Sequence, residues 1–140
     1  MFKRILIATD GSEHSKRSLD KTIEMVSVYK EEVSIDLLYV VAGEMSKSDI
    51  LRYGDSDTAS LKRKKLMNDN EEYLKSEGIT VESIVLHGDP APTIIEHAND
   101  NNYDCVVVGS RGKNQLQTMV LGSVSHKAVK YVNAPVLVVK

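Results

Sequence analysis

Short apolar runs alternate with amphipathic stretches along the whole chain. Ile5, Leu6, Ile7 and Ala8 are consecutive within Lys3 to Thr9. Such a run predicts a strand covered on both faces. Asp10-Gly11-Ser12 reads as a turn, with Ser12 as N-cap of the first helix. From Glu13 to about Lys30 the spacing is helical: Leu19, Ile23, Val26 and the stem of Lys30 share one stripe, beside Thr22 and Tyr29. Val33 to Val41 predicts the second strand. Ala42 to Asp57, with Gly43, Gly54 and several Ser and Asp residues, reads as a long loop. Thr58 to Glu77 predicts a second helix with Ala59, Leu66, Asn70, Tyr73 and Leu74 inward, closed by Gly78 as its C′ residue. Ile79 to Leu86 predicts the third strand. In the turn His87-Gly88-Asp89-Pro90, Asp89 is placed as N-cap and Pro90 at the first helical position. The third helix runs to about Asp100, with Ile94, Ile95 and Ala98 inward. Tyr103 to Val108 predicts the fourth strand, Ser123 to Val132 the fourth helix, and Val136 to Val139 the last strand after the break Asn133-Ala134-Pro135.

Strict β-α alternation with short apolar strands predicts an α/β fold: an open, doubly wound, five-stranded parallel sheet with helices on both faces. In such sheets ligands bind beyond the strand C-termini, where neighbouring connections run to opposite faces. No repeat or low-complexity tract interrupts the pattern, and 140 residues suit a single domain spanning 1–140.

Composition narrows the function classes. Eighteen basic residues against 20 acidic ones give −2, a balance with no electrostatic footprint for nucleic acid. No stretch reaches the length of a membrane span, and the apolar run near the N-terminus is too short for a signal peptide. Cys105 is the single cysteine, so no intramolecular disulfide can form and a reducing, cytoplasmic setting is expected. With no tryptophan and one phenylalanine, the core must be Val, Ile, Leu and Ala.

The candidate chemistry lies in Val106 to Ser125. An apolar run breaks into Gly109-Ser110-Arg111-Gly112, and a polar stretch then leads to Gly122-Ser123-Val124-Ser125 at the start of a helix. A strand, a glycine-rich loop and a helix N-terminus together form a phosphate cradle, because loop N–H groups and the helix dipole favour an anion. Glycines let backbone approach a phosphate closely. Ser123 and Ser125 can donate hydroxyls, and Arg111 supplies charge. At the end of the first strand, Asp10 would repel phosphate unless a cation stands between them, and Mg²⁺ typically takes one or two carboxylates plus phosphate oxygens. The loop is neither a Walker sequence nor a G-x-G-x-x-G fingerprint.

The pattern G-x2-G-x9-G-[ST], here Gly109, Gly112, Gly122 and Ser123, resembles the ATP-binding motif of the universal stress protein family. The resemblance covers the whole chain: ILIATDGSEHS resembles the family's first strand and turn, HGDPAPTIIEHA its third turn and helix, and NAPVLVVK its last strand. It implies a Rossmann-like sheet in the order 3-2-1-4-5 with ATP across strands one and four. By position, Thr9 and Asp10 would lie near the ribose and the phosphate–metal region, with Asp10 on Mg²⁺. Val40 would meet adenine through its backbone, with Ala8 nearby. Gly109, Arg111 and Gly112 would hold ribose and phosphates, and Gly122, Ser123, Val124 and Ser125 the phosphate tail. The family's habit of pairing last strands implies a homodimer through Val136–Val139, which would otherwise be a bare apolar sheet edge.

Each feature also has a plainer reading. Asp10 could cap the first helix, and the Ser123 hydroxyl could cap the last one. Lys62-Arg63-Lys64-Lys65 spreads around a helical turn and reads as a solvated surface. His14, His87, His97 and His126 lack metal-ligand spacing, and Cys105 reads as a buried inert thiol. Met25, Met67 and Met119 read as packing. Three functions compete: an ATP-binding regulatory module of the stress response, a slow Mg-dependent ATP hydrolase, and a nucleotide-free dimeric interaction protein. Hydrolysis needs a positioned nucleophile beyond the charge that Asp10, Mg²⁺ and Arg111 could supply, and no residue is an obvious water-positioner. A receiver domain would need an acceptor Asp after strand three, where this chain has His87-Gly88.

Overall fold

The computed structural model describes residues 1–10, 13–42, 56–110 and 122–140, with only the backbone of 13, 14 and 56–59. The expected turn residues Gly11 and Ser12, most of the loop 42–57, and Arg111 and Gly112 lie outside the described residues. The strands are β1 (Arg4–Thr9), β2 (Ser34–Val41), β3 (Thr80–His87), β4 (Cys105–Gly109) and β5 (Val136–Val139). The helices are α1 (Glu13–Val26), α2 (Ser56–Ser76), α3 (Pro90–Asp100) and α4 (Ser123–Tyr131). All strand pairs are parallel, in the order β3-β2-β1-β4-β5. No helix among the described residues is long and apolar enough to cross a membrane.

Strand alternation divides the core in two. Ile5, Ile7, Ile35, Leu37, Cys105 and Val107 pack with Leu19 and Val26 of α1 and Leu74 of α2. Leu6, Leu38, Val106 and Val108 pack on the other face with Ile94 and Ala98 of α3 and Ala128 of α4. Strands buried on both sides explain the unbroken apolar runs. The buried thiol of Cys105 has its pKa raised, chiefly by desolvation, as an inert core cysteine should.

Several boundaries depart from expectation. The first helix stops at Val26 rather than near Lys30, and Lys30–Glu32 forms a separate 3-10 turn. Val28, β-branched and 93% exposed, offers no packing to continue the helix. Lys30 instead forms an ion pair with Glu77 at 3.4 Å. The second helix begins at Ser56, so Ser56 and Asp57, read as loop, are helical. Serine and aspartate serve both turns and helix starts, which hides the boundary. His87 ends β3 rather than belonging to the turn, and its register partner is Val41. Asp89 is the N-cap of α3, with Pro90 at its first position, but its side chain makes no capping hydrogen bond. Gly78 adopts φ +82 after α2, as expected of a C′ glycine.

At the N-terminal ends of the strands, Asp104 accepts hydrogen bonds from the backbone N–H groups of Arg4 (2.9 Å) and Lys3 (3.0 Å). These bonds, that to Arg4 first, hold its carboxyl pKa below the ordinary value. A depressed carboxylate pKa contributes stability above the unfolded value, about pH 4, and loses it as pH falls through the folded value. Thermal melts of wild type and Asp104→Asn should therefore differ most near neutrality and converge below about pH 4. A gap that stays constant down to low pH would contradict this assignment.

Candidate functional site

The site begins where two strands part. The β1–β4 ladder covers Ile5–Cys105, Leu6–Val106 and Ile7–Val107, and stops there. The β1–β2 ladder continues to Thr9–Tyr39, and the β4–β5 ladder to Gly109–Val139. The C-terminal ends of β1 and β4 thus stay paired to β2 and β5 but not to each other. The helix after β1 packs on one face and the helix after β4 on the other. This is the switch-point crevice of an open α/β sheet.

On the β4 side, the backbone joins the two ends of the glycine segment. Ser110 N–H donates to Val139 C=O at 2.8 Å, and Ser110 C=O accepts from Gly122 N–H at 3.0 Å. Gly109 and Gly122 are thereby brought together, although the spacing pattern sets them far apart along the chain. Gly122 is the N-cap of α4, with φ −60 and ψ 158. That conformation is open to any residue, so the backbone itself does not demand glycine here. The first bond of α4 runs from His126 N–H to Gly122 C=O at 2.9 Å. The amides of Ser123, Val124 and Ser125 precede it and form the positive end of the helix.

The two serines are not equivalent. Ser123 is the first helical residue and exposed, so Gly122, not Ser123, occupies the cap. Ser125 is buried, and its hydroxyl donates to Gly122 C=O at 3.0 Å. The Ser125 hydroxyl is thus engaged within the helix turn, whereas the Ser123 side chain is exposed. Val124 is half-buried against the α3/α4 core.

On the β1 side, Thr9 is buried and Asp10 half-buried. Asp10 N–H donates to Ser15 Oγ at 3.1 Å, and Ser15 Oγ donates to Asp10 Oδ1 at 2.6 Å. Tyr39 Oη donates to Asp10 C=O at 3.0 Å. Ala8 and Val40 are partly buried against the α3/α4 core, the same face on which α4 packs. Ser15, Tyr39 and Ser110 were not singled out from the sequence. Ser15 lies a turn into α1, and Tyr39 sits inside an apolar run where an aromatic residue reads as filler.

Among the described residues no group of three or more His, Cys, Asp and Glu could hold a metal ion. A single carboxylate at Asp10 offers one hard oxygen ligand. That donor set fits Mg²⁺ only if phosphate oxygens and water complete the shell. Asp10, Gly109 and Gly122 thus stand at the ends of the two parted strands, with the α4 amides beside them.

This geometry has relatives. The chain is 33% identical to Universal stress protein YxiE of Bacillus subtilis, over the full length of both. The structure of MJ0577, named a universal stress protein of Methanocaldococcus jannaschii, superposes with a TM-score of 0.86 at 30% identity, covering 100% of this chain and 96% of that one. A universal stress protein family protein from Arabidopsis thaliana with AMP bound superposes with a TM-score of 0.73 at 25% identity, covering 99% of this chain and 91% of that one. The family model described as "Universal stress protein family" matches residues 1–140. Fold, crevice and relatives agree, and the chain belongs to the universal stress protein family.

Proposed function

We propose that this protein is an ATP-binding regulatory module of the cytoplasmic stress response, with the nucleotide across the parted ends of β1 and β4. One observation carries the reading: the Ser110 C=O to Gly122 N–H bond closes the glycine segment, so that the α4 N-terminus lies beside the end of β4. A helix N-terminus served by glycine backbone suits phosphate. The Val40 backbone and Ala8 meet adenine, and Thr9 meets the ribose. Gly109, Arg111 and Gly112 hold ribose and phosphates. The Gly122 turn, the Ser123 hydroxyl and the amides of Val124 and Ser125 hold the phosphate tail. Asp10 carries Mg²⁺, which neutralises phosphate charge when bound. The AMP found in the Arabidopsis relative supports an adenine nucleotide. Val136, Leu137 and Val138 are half-buried on the β5 edge, and antiparallel pairing with a second copy would cover them, giving a homodimer.

The test is to denature freshly purified protein, chromatograph what is released, and titrate the stripped protein with ATP. Release of adenine nucleotide, or saturable ATP binding, is expected. Protein that releases none and binds none contradicts the proposal.

A further inference from the structure

We infer that Tyr39 and Ser15 are positioning residues of the nucleotide site, fixing the Asp10 turn from the rear face of the sheet; the inference rests on the ATP and Mg²⁺ reading above. Three polar groups of one residue are engaged by two side chains from two other elements. Ser15, from the first turn of α1, accepts from Asp10 N–H and donates to Asp10 Oδ1, a reciprocal pair that sets both the backbone and the carboxylate rotamer. Tyr39, from the end of β2, donates to Asp10 C=O. Ser15 is buried and Tyr39 half-buried, so both bonds are shielded and directional.

The position of Tyr39 gives the contact a consequence. Tyr39 pairs in register with Thr9, the last residue of β1, and Val40 comes next in the strand. Successive strand residues face opposite sides of a sheet. Tyr39 therefore reaches Asp10 from the face of α1 and α2, while Val40 lies on the face of α3 and α4 together with Ala8. The hydroxyl ties the end of β2 to the residue after β1, and so fixes the span between the base-binding backbone and the metal-binding carboxylate. A carboxylate held in this way needs no reordering when the metal–phosphate group arrives. Phenylalanine at this position would fill the same volume without the hydroxyl's bond to Asp10.

The measurement is the gain in ATP affinity on adding Mg²⁺, taken by calorimetric titration with and without metal for wild type, Asp10→Asn, Tyr39→Phe and Ser15→Ala. A ratio of affinities is insensitive to a general loss of stability, which thermal melts of the ligand-free variants record separately. Asp10→Asn is expected to remove the gain, Tyr39→Phe to shrink it by about fivefold, the size of one shielded hydrogen bond, and Ser15→Ala, which loses two, to shrink it by about fivefold or more. Metal-free ATP affinity should stay near wild type in both. If Asp10→Asn loses the gain while Tyr39→Phe and Ser15→Ala keep it, the positioning role is overturned and the metal assignment stands. An equal loss with and without Mg²⁺ makes the pair a general support of the sheet edge, and also overturns it. If Asp10→Asn keeps the gain, or wild type has none, the metal assignment itself fails and the inference falls with it.

Discussion

Gly122→Val is expected to weaken ATP binding by about 100-fold or more while leaving the fold in place. The backbone at Gly122 has φ −60 and ψ 158, a region valine enters freely. The conformation therefore survives, and the folding penalty is limited to the poorer cap, about 1 kcal/mol. The ligand side is different. The amides of Ser123, Val124 and Ser125 come directly after it, and a branched side chain at the cap takes the space a phosphate needs to reach them. Losing that approach should weaken ATP by about 100-fold or more, since several hydrogen bonds to a charged group fail together. Titration calorimetry checks the affinity, and a thermal melt checks that the variant is folded. A folded variant that binds ATP as wild type does would remove the phosphate tail from this helix terminus.

The largest stability effect is expected far from the crevice. Asp36 is buried in β2, on the face of α3 and α4, and accepts from Tyr103 Oη at 2.6 Å. His97 Nε2 lies 2.9 Å from the same hydroxyl. The phenol has one proton and gives it to Asp36, so His97 Nε2–H is the donor to Tyr103. Asn101 Nδ2 then meets the other ring nitrogen at 3.4 Å. The Arg4 guanidinium stands 4.8 Å above the Tyr103 ring, with its Nη2 3.8 Å from Asp36. Burial first, and then the bond to Asp36, push the Tyr103 phenol pKa upward, which keeps it a donor. Asp36→Ala leaves a buried hydroxyl without its acceptor, at a cost of about 2–3 kcal/mol. The melting temperature should fall by about 5–10 °C for a domain of this size. Tyr103→Phe instead takes the hydroxyl donor from the carboxylate, which keeps the Arg4 guanidinium 3.8 Å away. The double variant should lose less than the sum of the two, because both remove one interaction. Strict additivity would mean that the two residues act separately.

Elements were legible where burial on both faces imposed runs of Ile, Val and Leu, as in β1, β2 and β4, and β5 was legible from its apolar run alone. Helix starts were legible where Pro90 or the Gly122 turn marked them. The helix end at Val26 was not, because Tyr29 and Lys30 continue the stripe although the chain has left the helix. The glycine spacing pointed to the β4 side of the candidate site, where the described ends of the motif, Gly109 and Gly122, are linked through Ser110. The β1 side depends on side chains crossing between elements. Ser15, Tyr39 and Asp10 meet only once β1, β2 and α1 are assembled. The Asp36–Tyr103 pair is hidden for the same reason: an aspartate inside an apolar strand has no local signature of its partner 67 residues away.

Residue-resolved titration of ¹⁵N-labelled protein with ATP addresses the central claim most directly. Binding in the crevice predicts amide shifts concentrated at Thr9, Asp10, Val40, Gly109 and Gly122 to Ser125. Asp36, Tyr103 and Asp104, at the other end of the strands, should remain still. A spectrum unchanged by ATP, or one whose shifts gather at that opposite end, would contradict it.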